Sequence, residues 1–522
     1  MKPPILRLAL AASVMLPSCL GAQPSATQSG APASPPANAT SPATKAPEAE
    51  LPVSALGRLA QQLLDVVAVG DSAAITRFVN EHLGNDVRGR SPAQMAALLV
   101  KLHAQSNGLR VERTMMAGSA LRMMTTSRAG NHKLGMELEP EPGDSTRIAS
   151  ITMVAMDGVS MGGPPKPWAE GPLDDARIAE IVRAKVKEAV DADRFSGVVL
   201  VAHADDVLVH DVYGYADREA NRLNTKDTPF ATYSVGKMFT SVAIAQLVSQ
   251  GKLSWDDTLA TVLPSYPNKD AAKRITIRQL LTHTAGVPDP FLSKRYGHGK
   301  KYDSHEAMLA DFADAPLNAN AGKSFDYSNG NFATLAAVVE HLSGLRYDEY
   351  LKRNVFGPAG MRLPDTPPAL GYARFTEYDP LGVEQRRSEK VRGGTGGAGR
   401  ALGFGGGAYT ADDLFRFARA LQTGKLVPKA IADSITKGEV AMGGPMKYAL
   451  GFFDRPTNGR HVVGHSGSNP DTGHDADLEM VWDDQWTVIT LANYDAPAGM
   501  MLEMPILDLV TGSSVRRAAR AP

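Results

Sequence analysis

The stretch that decides the reading is Ser234-Val-Gly-Lys237-Met-Phe-Thr-Ser-Val-Ala-Ile-Ala-Gln-Leu-Val248, with Gly251 as its stop. It predicts a long apolar helix that Ser234 opens. A hydroxyl on the first helical turn meets unpaired backbone N–H groups and the positive end of the dipole, which favour negative charge developing on its oxygen. Lys237, three residues on, lies on the same face within reach of it. That field and an apolar surround lower a lysine pKa from its ordinary ~10.4, so that a neutral amine can take the serine proton. The alternative is a serine N-cap followed by a lysine that snorkels to the surface.

Serine with lysine three residues later also occurs at Ser249/Lys252 and Ser434/Lys437, so context has to choose. Ser249/Lys252 straddles Gly251, at a helix C-terminus where the dipole points the wrong way for an anion. Ser434/Lys437 runs through a polar segment into Gly438. Two further pieces favour Ser234. Tyr327-Ser-Asn329 lies between a turn at Gly322-Lys-Ser-Phe325 and a helical pattern from Phe332 to Leu342, so its side chains can project from a loop. Tyr266-Pro-Asn268 repeats the pattern in a proline-broken turn and is set aside. Gly464-His-Ser-Gly-Ser468 follows the short run His461 to Val463 and predicts a small-residue strand edge, where a substrate can lie alongside and a backbone N–H is offered as an oxyanion donor.

With these three pieces in order, the region from about Pro172 to Thr511 resembles the serine β-lactamase and penicillin-recognising superfamily. It is most similar to the class C β-lactamases, D-alanyl-D-alanine carboxypeptidases, D-aminopeptidases and related esterases. The motifs stand as S-x-x-K at Ser234 and Lys237, Y-x-N at Tyr327 and Asn329, and an H-x-G form of K-T-G at His465 and Gly467. Leu281-Thr-His-Thr-Ala-Gly286 and Gly405-Gly-Gly-Ala-Tyr-Thr-Ala-Asp412 resemble other stretches of that family. The resemblance implies that Ser234 forms an acyl-enzyme, that Lys237 and Tyr327 manage its proton and that of the leaving group, and that Asn329 orients the substrate amide. It also implies an oxyanion hole from the backbone N–H groups of Ser234 and Ser468. A histidine at position 465 replaces the lysine that pairs with a substrate carboxylate in β-lactamases, and near pH 7 it is expected to be only partly charged. A histidine satisfied at a strand end is the structural alternative. Peptide or ester cleavage is therefore expected above antibiotic hydrolysis. His283 is expected to hold the loop beside the site.

Outward from the motifs, the region opens with an amphipathic helix from Asp174 to Val190 and strand-like runs Gly197–Ala202 and Val207–Tyr213, joined by a turn at Asp205-Asp206. It closes with strand runs Tyr448–Phe453, Asp477–Trp482 and Trp486–Ala492. Strands at both ends with helices between predict an α+β fold, β-lactamase/transpeptidase-like. One antiparallel sheet is flanked by helices, with a helical subdomain, over residues 172–512. A smaller N-terminal α+β domain is expected over residues 55–160, from helical patterns Leu56–Val69 and Ser91–Gln105 and strand runs such as Ile148–Val154. Just past those runs, Gly158-Val-Ser160-Met-Gly162 matches G-x-S-x-G, but Gly-Gly-Pro-Pro-Lys-Pro after Met161 cannot start the helix that motif requires, and Ser160 reads as linker.

The leading residues read as an export signal (1–22), with Lys2 and Arg7 before and within a short apolar run from Ile5 to Leu16. Leu16-Pro-Ser-Cys19 resembles a lipobox, so a lipid anchor at Cys19 and cleavage after Ala22 stand as alternatives. Residues 23–54 are a Pro/Ala/Ser-rich linker with too few large apolar side chains to offset the entropy of ordering. The expected place is the periplasm, or a membrane-anchored lipoprotein of a bacterial envelope.

Composition sets the outer bounds. Five hundred and twenty-two residues hold about two or three domains. Hydrophobic residues at 43% and charged ones at 21% suit a globular protein, and 55 basic against 56 acidic side chains leave no cationic surplus for nucleic acid. One cysteine makes neither an internal disulfide nor a Cys-based zinc site. No H-E-x-x-H occurs among the 12 histidines, so metal catalysis has no support, and no cofactor is expected. Gly394-Thr-Gly-Gly-Ala-Gly399 follows no buried strand and is no dinucleotide cradle. The methionines, including Met115, Met116, Met123 and Met124, read as packing filler. The functional expectation is an exported serine hydrolase cleaving a D-amino-acid peptide-like amide or an ester, with small-molecule or peptide substrates. A small-ester esterase and a non-catalytic envelope binding protein are the alternatives.

Overall fold

A computed structural model describes residues 50–83, 92–117, 120–129, 133–141, 144–155, 168–169, 173–293, 295–296, 300–318, 321–322, 324–372, 401–443, 445–469 and 472–512. The expectations at Cys19, the export segment, most of the linker, Ser160 and residues 394–399 lie outside the described residues. The chain divides into two compact units.

In the first unit, α1 (Ala55–Val69), α2 (Ser72–His82) and α3 (Pro92–Ser106) precede an antiparallel meander of β1 (Leu109–Ala117), β2 (Ala120–Ser127), β3 (Lys133–Glu141) and β4 (Asp144–Ala155). Leu59, Leu63, Val67, Ile75, Leu99 and Leu102 from the helices meet Leu121, Met123, Met136 and Ile151 from the sheet in one core. Helix α2 escaped the sequence pattern because only Ile75, Phe78 and Val79 of it are buried, too few for a periodic signal. Its start is nonetheless written locally. Gly70 at φ 75° ends α1, and the Asp71 carboxylate caps α2 by accepting from the Ala74 N–H at 2.7 Å.

The second unit is built on an eight-stranded antiparallel sheet that takes strands from both ends of its sequence. The order is Val440–Gly443, Met446–Tyr448, Phe453–Asp454, Val462–Asn469, His474–Val481 and Trp486–Ala492, then β5 (Gly197–His203) and β6 (Asp206–Tyr213). Trp486–Ala492 pairs with β5 from Trp486↔His203 to Ala492↔Gly197, which closes the first and last strands of the unit together. Both faces are covered, and the period of two in β5 records it: Val198, Leu200 and Ala202 enter one core, while Val199 and Val201 enter the other. The helix α4 (Asp175–Asp191) and the helix Met500–Gly512 contribute Ile178, Val182, Val186, Ile506 and Val510 to the second core. The larger core holds α5 (Lys237–Ser249), whose residues from Lys237 to Leu247 are all buried, so the helix is enclosed around its whole circumference.

One strand expectation is corrected. Tyr448–Phe453 is not continuous: the strand ends at Tyr448, the Ala449 N–H donates to the Phe452 carbonyl at 2.8 Å, and the chain returns at Phe453. The turn is buried, with Gly451 at φ 92° against the Ser241 side chain and the Ser241 hydroxyl donating to the Leu450 carbonyl. An apolar run without polar punctuation therefore hides a corner.

Candidate active site

The local fold corrects the place of Ser234. It lies in a 3-10 turn, Tyr233–Gly236, and α5 begins at Lys237. The N-cap positions are Thr232 for the turn and Gly236 for α5, so Ser234 caps neither element and its hydroxyl is left to other partners. Those partners are the Lys237 amine, 3.0 Å from Ser234 Oγ, and the Tyr327 hydroxyl, which donates to Oγ at 2.8 Å. Lys237 is 0% exposed, which excludes the snorkelling alternative. The other two serine–lysine pairs sit with all four residues exposed. In the discarded motif copy, Tyr266 is core and Asn268 caps a short helix by accepting from the Ala271 N–H.

Three acceptors surround Lys237 Nζ: Ser234 Oγ, Asn329 Oδ1 at 2.8 Å and the Phe404 carbonyl at 2.6 Å. The Tyr327 ring faces it at 4.7 Å. Burial draws the lysine pKa down to about 7, against the opposing pull of the Asp289 carboxylate. At neutral pH the uncharged amine is therefore well populated. It then donates to Asn329 and Phe404 and accepts the Ser234 proton, with no change of partners. Burial raises the Tyr327 pKa above the ordinary phenol value, so Tyr327 is a proton donor rather than a phenolate.

Asn329 opens the helix Asn329–Ser343, and its amide is already engaged on both sides, Oδ1 by Lys237 and Nδ2 by Asp289 at 2.9 Å. The resemblance implied a group that orients substrate; here its hydrogen bonds run to Lys237 and Asp289. Sequence reasoning missed Asp289, which lies three residues past the Leu281–Gly286 stretch and carries no motif of its own. It also missed Phe404, whose contribution is a main-chain oxygen and leaves no mark on side-chain type.

The strand Val462–Asn469 pairs with His474–Val481 along its whole length but with Phe453–Asp454 only at Val463 and Gly464. From His465 onward its other side runs past the serine turn. A Cβ on Gly467 would stand 2.1 Å from the Thr232 carbonyl oxygen and 2.7 Å from the Ser234 backbone N, so only glycine permits this approach. A Cβ on Gly405, at φ 145°, would stand 2.6 Å from the Tyr233 carbonyl oxygen and 3.2 Å from the same Ser234 N. Ser468 follows Gly467 in register with Asp475.

His465 is corrected in charge. It is 1% exposed, its Nε2 lies 3.1 Å from the Tyr448 hydroxyl and its Nδ1 lies 2.6 Å from the Ser466 carbonyl, which Nδ1–H donates to in the neutral tautomer. Burial first, then the Lys237 charge, hold its pKa well below the ordinary histidine value, so it is neutral at pH 7 rather than partly charged. Its ring packs 4.4 Å from Phe453 and 6.5 Å from Tyr327. His283 does hold the loop beside the site: its carbonyl accepts from the Asp326 N–H at 2.7 Å, Nδ1 accepts from the Ser328 N–H at 3.2 Å, and the ring lies 4.3 Å from Tyr327. Among the described residues no group of histidine, cysteine or carboxylate side chains is placed to hold a metal ion.

Residues 182–512 match the Beta-lactamase family. The chain belongs to the β-lactamase family. It is 30% identical over 327 residues to penicillin-binding protein 4* of Bacillus subtilis (strain 168), covering 58% of this chain and 68% of that protein. It is 30% identical over 306 residues to esterase EstB of Burkholderia gladioli, covering 52% of this chain and 77% of EstB. A crystal structure of a penicillin binding protein from Bacillus halodurans, 27% identical, superimposes with a TM-score of 0.50 over 62% of this chain and 97% of that one. The α+β architecture with an antiparallel sheet is that of this β-lactamase-family fold, and the chain is a serine hydrolase of the family.

Proposed function

We propose that this chain hydrolyses an ester, or an amide of the D-amino-acid peptide type, through an acyl intermediate on Ser234. The observation that carries the reading is the shared Ser234 oxygen, 3.0 Å from a buried lysine amine and 2.8 Å from a phenol. The uncharged Lys237 amine takes the Ser234 proton as Oγ attacks the substrate carbonyl carbon. The negative charge that forms on the carbonyl oxygen is held by the N–H groups of Ser234 and Ser468. Collapse of the adduct breaks the bond to the leaving amine or alcohol, which takes a proton from the Tyr327 hydroxyl, and the Lys237 ammonium restores it. Water then attacks the acyl-serine by the same route in reverse.

The ester reading draws support from His465. A neutral, internally hydrogen-bonded imidazole in the third motif supplies no cation for a carboxylate beside the scissile bond. Relatives named a penicillin-binding protein and an esterase are compatible with both bond types. Export is part of the proposal. It rests on the charged and apolar leader at Lys2 to Leu16, with Cys19 as a lipid anchor or Ala22 as the cleavage point. Among the described residues no helix is long and apolar enough to cross a membrane.

A fluorophosphonate should label the wild type and not Ser234→Ala, and turnover of a p-nitrophenyl ester should exceed that of a D-alanyl-D-alanine dipeptide. An unlabelled wild type ends the acyl-serine reading, and efficient dipeptide cleavage with no ester turnover ends the ester preference.

A further inference from the structure

Asp289 stands between two prolines in Val287-Pro-Asp-Pro290, a sequence that presets an extended backbone, observed at φ −72°, ψ 130°. One carboxylate oxygen accepts from the Phe291 N–H at 3.0 Å and so ties the side chain to its own turn. The other accepts twice from Asn329, from the backbone N–H at 2.9 Å and from Nδ2 at 2.9 Å. The loop is pressed onto that helix start: a Cβ on Gly330 would lie 2.1 Å from the Pro288 carbonyl oxygen. An amide side chain presents an oxygen and a nitrogen of similar shape, and the hydrogen-bond network decides which way each points. A carboxylate only accepts. With Asp289 fixed on one side, Nδ2 must face it and Oδ1 must face Lys237, where it receives the amine at 2.8 Å.

We propose that Asp289 is a positioning residue for acyl transfer: by setting the orientation of the Asn329 amide, it holds the Lys237 amine on the Ser234 hydroxyl. The proposal rests on the reading of Ser234 as nucleophile and Lys237 as base. Two effects follow from one carboxylate. The Asn329 oxygen is kept available as an acceptor whether the amine is charged or not, and the negative charge works against burial to keep Lys237 basic enough for its task. Without Asp289 the amide is free to turn and present N–H to the amine, which would push Nζ off the serine.

The test follows the rate of fluorophosphonate labelling against pH for wild type, Asp289→Asn and Asp289→Glu, together with melting temperature and the fraction of labelled sites. Asp289→Asn removes the charge and allows the Asn329 amide to reverse. Its labelling rate on the high-pH plateau should fall about tenfold or more, and the midpoint of its acid limb should move down by about half a unit or more. An unmoved acid limb, with only a lower melting temperature or fewer labelled sites, would mean a structural role and would overturn the proposal. If Asp289→Asn does not accumulate as folded protein, Asp289→Glu decides. It keeps the charge at a changed distance, so it should label more slowly with its acid limb near that of the wild type, whereas wild-type rates or a limb displaced to lower pH refute the assignment. A wild type that takes no label at all is a failure of the Ser234 reading itself, separable from these because it appears before any variant is made.

Discussion

The Phe404 carbonyl accepts a hydrogen bond from Lys237 Nζ at 2.6 Å although 167 residues separate the two. The loop that carries it is pinned on both sides of Gly403, whose carbonyl accepts from the Thr240 hydroxyl at 2.5 Å and whose N–H donates to His305 Nε2 at 3.3 Å. His305 Nδ1 in turn lies 2.9 Å from the Glu340 carboxylate. A main-chain oxygen held this way cannot rotate out of reach, so the Lys237 amine is located by the backbone as well as by side chains.

Activity should follow the uncharged fraction of Lys237. Its pKa in the folded protein is about 7, so kcat/KM is expected to rise with pH through neutrality and then level off. Lys237→Arg, cationic at every accessible pH, should lose about 10²–10⁴-fold with no recovery at high pH. A flat profile between pH 5 and 9 in the wild type refutes the assignment of the base.

Tyr327→Phe removes the donor to Ser234 Oγ and leaves the ring contacts with His283 and Lys237 in place. The expected result is a fall in kcat of about 10²–10⁴-fold with an unchanged melting temperature. Because burial raises the phenol pKa, the wild type should show no alkaline limb from Tyr327 below pH 10. A variant within a factor of two of the wild type takes the phenol out of the proton path.

Gly467→Ala places a methyl group 2.1 Å from the Thr232 oxygen and 2.7 Å from the Ser234 nitrogen, both main-chain atoms. The strand and the serine turn must part, so the loss should fall on labelling of Ser234 as well as on stability, the latter by about 1–3 kcal/mol. Denaturant unfolding and fluorophosphonate labelling of the same sample check both halves. Full labelling at wild-type rate contradicts the close approach.

Beneath the strand of the third motif, on the face away from Ser234, lies a buried group of Asp475, Asp477, Glu479 and Glu503 with Arg455 as the cation. Burial is the leading cause that raises all four carboxyl pKa values, and Arg455 only partly offsets it for Asp477, Glu479 and Glu503. A carboxyl raised in the folded state binds its proton more tightly there than in the unfolded chain. Its contribution is complete below the ordinary carboxylate range and is lost as pH rises through the raised value. Glu503→Gln mimics the protonated form. It should be neutral near pH 5 and increasingly stabilising towards pH 8, by about 1–2 kcal/mol. Urea unfolding at both pH values checks this, and the difference removes the opposite trend from the buried neutral histidines 283, 465 and 474. A variant less stable than wild type at pH 8 shows that the Glu503 charge is needed by Arg455.

The fold class was legible in the strand runs at the two ends of the region, Gly197–Ala202 and Trp486–Ala492, and the structure pairs those runs side by side in a sheet buried on both faces. The reading failed at Tyr448–Phe453, where the same apolar signal belongs to a corner that Ser241 and Gly451 hold shut. In the candidate site Ser234, Lys237, Tyr327 and Asn329 could be singled out because each meets the others through its side chain and stands at a spacing or in a turn that can be read locally. Asp289 and the Phe404 carbonyl were not legible, since one is an aspartate between prolines and the other is a backbone atom.

What the amino-acid order determined by itself is which groups this protein has for chemistry: a serine one turn before a lysine, a tyrosine on a loop, a strand edge of small residues. Only the tertiary structure decided what state those groups are in. A lysine amine near neutrality, a phenol that stays protonated and a histidine that carries no charge are all consequences of removal from water among particular neighbours. Desolvation and hydrogen bonding are properties of the packed assembly, and no residue carries them along the chain.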